Sequence, residues 1–115
     1  MPNTPAPLTL SAFQQLIRDR FYATDNARGV AGTFLLFMEE VGELATAFHD
    51  NRAPQSPTNP MGKKRDITPE ERANLEEEFA DVLAWLATLA NITGVDLTKA
   101  CEKYTTPGRV EGIKY

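Results

Sequence analysis

The chain has 115 residues and a net charge of −4, a length that fits one domain and favours an oligomer that shares its core. Apolar residues make up 42% and charged residues 24%, which excludes a disordered or fibrous chain. The acidic balance, with no long basic block, excludes nucleic acid as a natural partner.

Residues 1 to 8 hold three prolines and no apolar pattern, and are predicted to be disordered. They have neither the basic start nor the apolar core of a signal peptide. A first helix is expected from Thr9 or Ser11. Ser11 and Gln14 have capping-box spacing, and Phe13, Leu16, Ile17 and Phe21 form a helical stripe. Asp25-Asn26 are turn-forming residues and predict its end. A second helix is expected from Val30 to Asp50, with Phe34, Phe37, Met38, Val41, Leu44, Ala45 and Phe48 repeating at three and four residues.

Residues 51–67 read as an inserted loop, with Pro54, Pro57, Pro60, Gly62 and the basic run Lys63-Lys64-Arg65. Thr68, Pro69 and Glu71 announce a third helix through a capping box with proline at its first position. Gly94 ends that helix, and Asp96 caps a fourth that Pro107 stops. Residues 107–115 form a tail without readable structure. The expectation is all-α: a helical domain over residues 9–106, a bundle of about four helices completed by oligomerisation. The longest uncharged stretch, Val82 to Val95, is too short to span a bilayer. The lone Cys101 forms no internal disulfide and fits a reducing compartment. A cytoplasmic protein without a membrane partner is expected.

Two segments carry chemistry, Glu39-Glu40-Val41-Gly42-Glu43 and Glu77-Glu78-Phe79-Ala80-Asp81. Helical geometry puts Glu39, Glu43 and Glu40 within an arc of roughly 100°, and Glu77, Asp81 and Glu78 repeat the arrangement. Each arc borders its helix's apolar stripe. Like charges beside a core-facing stripe repel one another and lose hydration. One such face is ordinarily solvated surface, whereas two of matching geometry favour a shared cation. A di-iron helical site needs Glu-x-x-His pairs, but the only histidine, His49, follows Thr46 at that spacing. One cysteine and one histidine make zinc a poor fit. Hard oxygen ligands leave Mg²⁺ first, with Mn²⁺ as a substitute.

Glu40-x-x-Glu43 followed by Glu78-x-x-Asp81 on consecutive helices resembles the MazG-like nucleotide pyrophosphohydrolases. The similarity runs from about Arg28 to Tyr104 and includes Phe37-Met38-Glu39-Glu40-Val41-Gly42-Glu43-Leu44 and Leu75-Glu76-Glu77-Glu78-Phe79-Ala80-Asp81-Val82-Leu83. The insertion between the motifs is longer than in compact relatives, and the tail lacks their regular Lys/Arg pattern. The resemblance implies Mg²⁺-dependent cleavage of a nucleoside triphosphate between the α and β phosphates, giving a monophosphate and pyrophosphate, by a homodimer or homotetramer. It implies Glu40, Glu43, Glu78 and Asp81 as metal ligands. Glu39 and Glu77 follow as supplementary catalytic carboxylates, one of which orients the attacking water.

Trp85, one turn after Asp81, is a candidate wall for the base, with core packing as the alternative. Asn91 is a candidate for a sugar or phosphate contact or a satisfied helix end. Lys103 is a candidate phosphate ligand or a cation answering a helix C-terminus. Lys63, Lys64 and Arg65 are read as a solvated run, and His49 and Cys101 receive no role. No Gly-rich phosphate loop or Walker-type lysine is present, so P-loop chemistry has no apparatus here. Two alternatives stand beside nucleotide-pool housecleaning: a phosphoribosyl-ATP pyrophosphohydrolase-like enzyme, and a non-enzymatic helical oligomerisation or nucleotide-binding module.

Overall fold

A computed structural model describes residues 6–50, 56–60, 62 and 66–108. The basic run at 63–65 and most of the expected N-terminal and C-terminal segments lie outside the described residues. The described residues form three α-helices: α1 (Leu10–Asp50), α2 (Pro69–Thr93) and α3 (Leu97–Thr105). None of them is singly long and apolar enough to cross a membrane.

Helix α1 contains both helices expected before the insertion. Its break falls at Gly29, whose φ of 82° and ψ of 175° interrupt the helical backbone; only glycine adopts that conformation without strain. The expected stop at Asp25-Asn26 is therefore corrected. Asp25 stays helical because Arg28 and Thr88 occupy its carboxylate, leaving it unavailable to close a turn. Of the two expected starts Thr9 holds, and the Ser11–Gln14 box is corrected. Thr9 Oγ1, not Ser11, accepts from the Ala12 amide at 3.0 Å, and Gln14 is committed to distant partners.

Helix α2 starts as its sequence dictates. Thr68 Oγ1 accepts from the Glu71 amide at 3.1 Å, and Glu71 returns the bond to the Thr68 amide at 3.2 Å. Gly94, at φ 74°, ends it in a Schellman turn, with Val95 N donating to Ala90 O at 2.8 Å and Gly94 N to Asn91 O at 3.4 Å. Asp96 then caps α3 through the Lys99 amide.

The chain divides into two compact units. The first comprises residues up to Val30 and from Ala87 onward. Ile17, Ala87 and Ala90 form its apolar core. Gln14 ties its pieces together: Nε2 donates to Asn91 Oδ1 at 3.0 Å and Val95 O at 2.8 Å, while Oε1 accepts from the Leu97 amide at 2.9 Å.

The second unit, Ala31–Leu86, contains the second half of α1 and most of α2. Thr33 and Ala47 are buried in it, and Phe48 meets Phe79 edge-on with centroids 5.7 Å apart. Much of its apolar stripe nonetheless remains outside. Phe34, Leu35, Met38, Phe48, Phe79, Leu83 and Leu86 are all exposed, Leu35 at 72%. Two helices cannot surround a stripe this wide, so the surplus faces outward.

Candidate metal centre

Helical spacing presents Glu40 and Glu43 one turn apart on α1, and Glu78 and Asp81 one turn apart on α2. All four belong to the second unit. Glu40, Glu78 and Asp81 each bring a carboxylate oxygen to within 4.8 Å of the others. Glu40 and Glu78 are half-buried and Asp81 is exposed. Glu43 is also exposed, and its charge acts on both Glu40 and Glu78.

The electrostatics follow from this crowding. Burial pushes the Glu40 carboxyl above the ordinary glutamate range, and Glu43, Asp81 and Glu78 push it the same way. Burial also raises Glu78, reinforced by the charges of Glu43, Asp81 and Glu77. Oε2 of Glu40 and Oε2 of Glu78 are buried with no hydrogen-bond partner among the described residues. Buried oxygens in that state are costly unless something binds them. A set of oxygens alone, partly shielded and carrying excess negative charge, suits a hard divalent cation. Glu40, Glu78 and Asp81 thus fit such a cation, while Glu43 is not among the carboxylates whose oxygens lie within 4.8 Å of one another.

The other predicted residues are distributed more widely. Glu39 and Glu77 are exposed beside the cluster in sequence, and Glu77 acts on Glu78 through its charge. Trp85 is half-buried, one turn beyond Asp81 on α2. Asn91 and Lys103 belong to the first unit. Asn91 is buried, accepting from Gln14 Nε2 and donating to the Gln14 carbonyl. Lys103 is half-buried with its ammonium 5.1 Å from the Tyr104 ring centroid. The same unit has a cleft of about 260 Å³ bordered by Ser11, Gln15, Arg18 and Asp96, with Gln14 and Asn91 in its lining. It contains none of the clustered carboxylates, and the amides of Gln14 and Asn91 are already bonded. The chemistry points to the carboxylates instead.

The Asp25 carboxylate has partners that its turn-forming residue type does not announce. Asp25 is 4% exposed and pairs with Arg28 at 3.1 Å. The Asp25–Arg28 spacing was its available signal; Thr88, 63 positions away, gave none.

The family model of the MazG nucleotide pyrophosphohydrolase domain matches residues 30–106. Two crystal structures of iMazG from Vibrio DAT 722 resemble the chain. The Ctag-iMazG structure has 30% identity and a TM-score of 0.61, over 85% of this chain and 94% of that one. The Ntag-iMazG structure has 29% identity and a TM-score of 0.63, over 93% and 100%. No curated protein matches. The family favours an enzyme acting on a nucleotide over a helical module without activity. The all-α chain, with its carboxylate cluster inside the matched span, belongs to the MazG nucleotide pyrophosphohydrolase family.

Proposed function

We propose that this pyrophosphohydrolase is Mg²⁺-dependent, with Mn²⁺ as a substitute, and cleaves a nucleoside triphosphate between its α and β phosphates. The products are a nucleoside monophosphate and pyrophosphate, and the role is housecleaning of the cytoplasmic nucleotide pool. The observation that carries the reading is the convergence of Glu40, Glu78 and Asp81 within 4.8 Å, with one buried oxygen each of Glu40 and Glu78 lacking a hydrogen-bond partner among the described residues.

Glu40, Glu43, Glu78 and Asp81 hold the metal. A divalent cation held there would supply Lewis acidity and offset the negative charge of the phosphates. Glu39 or Glu77, exposed next to these carboxylates, would orient the attacking water and accept its proton. Trp85 offers a flat apolar wall to the base. Asn91, buried and bonded to Gln14, and Lys103 are given no place in this site. The exposed stripe of the second unit supports a homodimer or homotetramer, because exposed apolar surface of this extent marks an interface.

A panel of ribo- and deoxyribonucleoside triphosphates, assayed with Mg²⁺ by phosphorus NMR, tests the reading. Monophosphate and pyrophosphate are expected. Diphosphate and inorganic phosphate would refute the α–β assignment.

A further inference from the structure

After the break at Gly29, the second half of α1 presents two different faces. One carries Thr33, Glu40, Leu44 and Ala47, all buried or half-buried in the second unit. On the opposite side of the helix, Ala31, Leu35, Met38, Gly42, Ala45 and His49 recur at alternating spacings of four and three. That is the spacing of a coiled-coil seam, and it confines the six to an arc of roughly 80°. All six are exposed, and none is an acid, a lysine or an arginine. Gly42 stands out among them. Glycine is unfavourable inside a helix, yet a Cβ there would meet nothing within 4 Å among the described residues.

The seam is complementary to itself when reversed. Its large apolar residues, Leu35 and Met38, precede its small ones, Gly42 and Ala45. Two copies laid antiparallel about a two-fold axis at the level of Glu40 set Leu35 of each against Ala45 of the other, and Met38 against Gly42. Ala31 then faces His49. Every pair joins a larger side chain to a smaller one, which lets the two helices interdigitate about one closed axis. A parallel pair would set Leu35 on Leu35 and leave a gap between two glycines, which close packing disfavours. Phe34 and Phe48 flank the seam, 49% and 50% exposed, and each offers on the order of 100 Å². Leu35 at 72% and Met38 at 47% exposure offer comparable areas. With the smaller residues, two copies together bury about 1,000 Å², the least that a specific interface needs.

We propose that this face joins two copies of the chain, with α1 pairing antiparallel to itself about an axis at the level of Glu40. The inference rests on the homo-oligomer proposed above and adds its face, direction and register. Glu40 points from the far side of the helix, so the carboxylate cluster of each copy stays clear of the seam.

Sedimentation velocity and thiol oxidation of the full chain test it. Gly42→Met fills the recess that Met38 of the other copy occupies, and should weaken self-association about tenfold. Helical circular dichroism should persist, because the added side chain meets open space within its own chain. Met38→Ala combined with Gly42→Met exchanges the large and small positions and should restore association. In a Cys101→Ser background, Leu35→Cys with Ala45→Cys should oxidise to a covalent dimer. Leu35→Cys alone should not, because the antiparallel register holds the two copies of that residue roughly 15 Å apart along the axis, beyond disulfide reach. If Leu35→Cys alone cross-links, or Gly42→Met leaves association unchanged or tighter, the antiparallel register is overturned and the homo-oligomer stands. A wild-type monomer at micromolar concentration overturns both and leaves the face to a different partner.

Discussion

In the first unit, Asp25 and Asn91 are buried and both find hydrogen-bond partners, in Arg28, Thr88 and Gln14. In the second, Glu40 and Glu78 each keep a buried oxygen with no partner among the described residues, and several phenylalanines and leucines stay exposed. The same chain thus satisfies its polar groups in one region and leaves them in conflict in another. Folding alone favours the first arrangement, since an unpartnered buried oxygen and an exposed aromatic both cost stability. The second arrangement makes sense where something external completes it: a cation for the carboxylates and a second copy for the apolar stripe.

Breaking the second unit's chemistry should give the largest effect. Glu40→Gln or Asp81→Asn is expected to reduce pyrophosphate release about a thousandfold, the scale of losing a metal's Lewis-acid contribution. Helical circular dichroism should persist, because neither side chain holds the fold. Residual activity within a few-fold of wild type would remove these residues from the site.

The exposed stripe gives the next largest effect. Light scattering should report at least a dimer, and Leu35→Lys, which puts a charge at the most exposed of the stripe's residues, should shift the population toward monomer. A monomer before mutation would mean the stripe has no second copy to cover it. A smaller change is expected from Trp85→Ala. It should raise KM more than it lowers kcat, or reorder the preferred bases, if the indole binds the base in ground and transition states alike. An unchanged KM would make Trp85 a packing residue.

The smallest effect sharpens the contrast from the other side. Thr9→Ala removes the α1 cap in the first unit and should cost about 1 kcal/mol of stability, read by urea denaturation. Turnover should be unaltered. A loss of turnover would show that the first unit's local order reaches the chemistry.

What could be read in advance was local. The Thr68–Glu71 box, the Gly94 stop and the Asp96 cap are decided within a few residues, and the structure has all three. The two acidic arcs were legible for the same reason, since helical spacing alone puts each pair on one face. Asp25 was read as a turn because its composition suggests one, while the partner that keeps it helical lies 63 positions away. The break came four residues later, at a glycine whose conformation no pattern of apolar residues reveals. The burial of one oxygen each of Glu40 and Glu78 was also beyond reach, because it depends on how the two helices of that unit approach.

Thermal melts of the metal-free chain across pH test the central claim most directly. Glu40 and Glu78 have folded-state pKa values raised above 4.5, so the folded state holds their protons more tightly than the unfolded state. Their contribution is therefore full below the unfolded value and is lost as pH rises through the raised folded values. The midpoint should fall as pH rises above about 4.5. Saturating Mg²⁺ should reverse that fall, because a cation that binds the ionised carboxylates stabilises the folded state and displaces their protons. A midpoint that holds steady or rises over that range, and is indifferent to Mg²⁺ at neutral pH, would contradict the account.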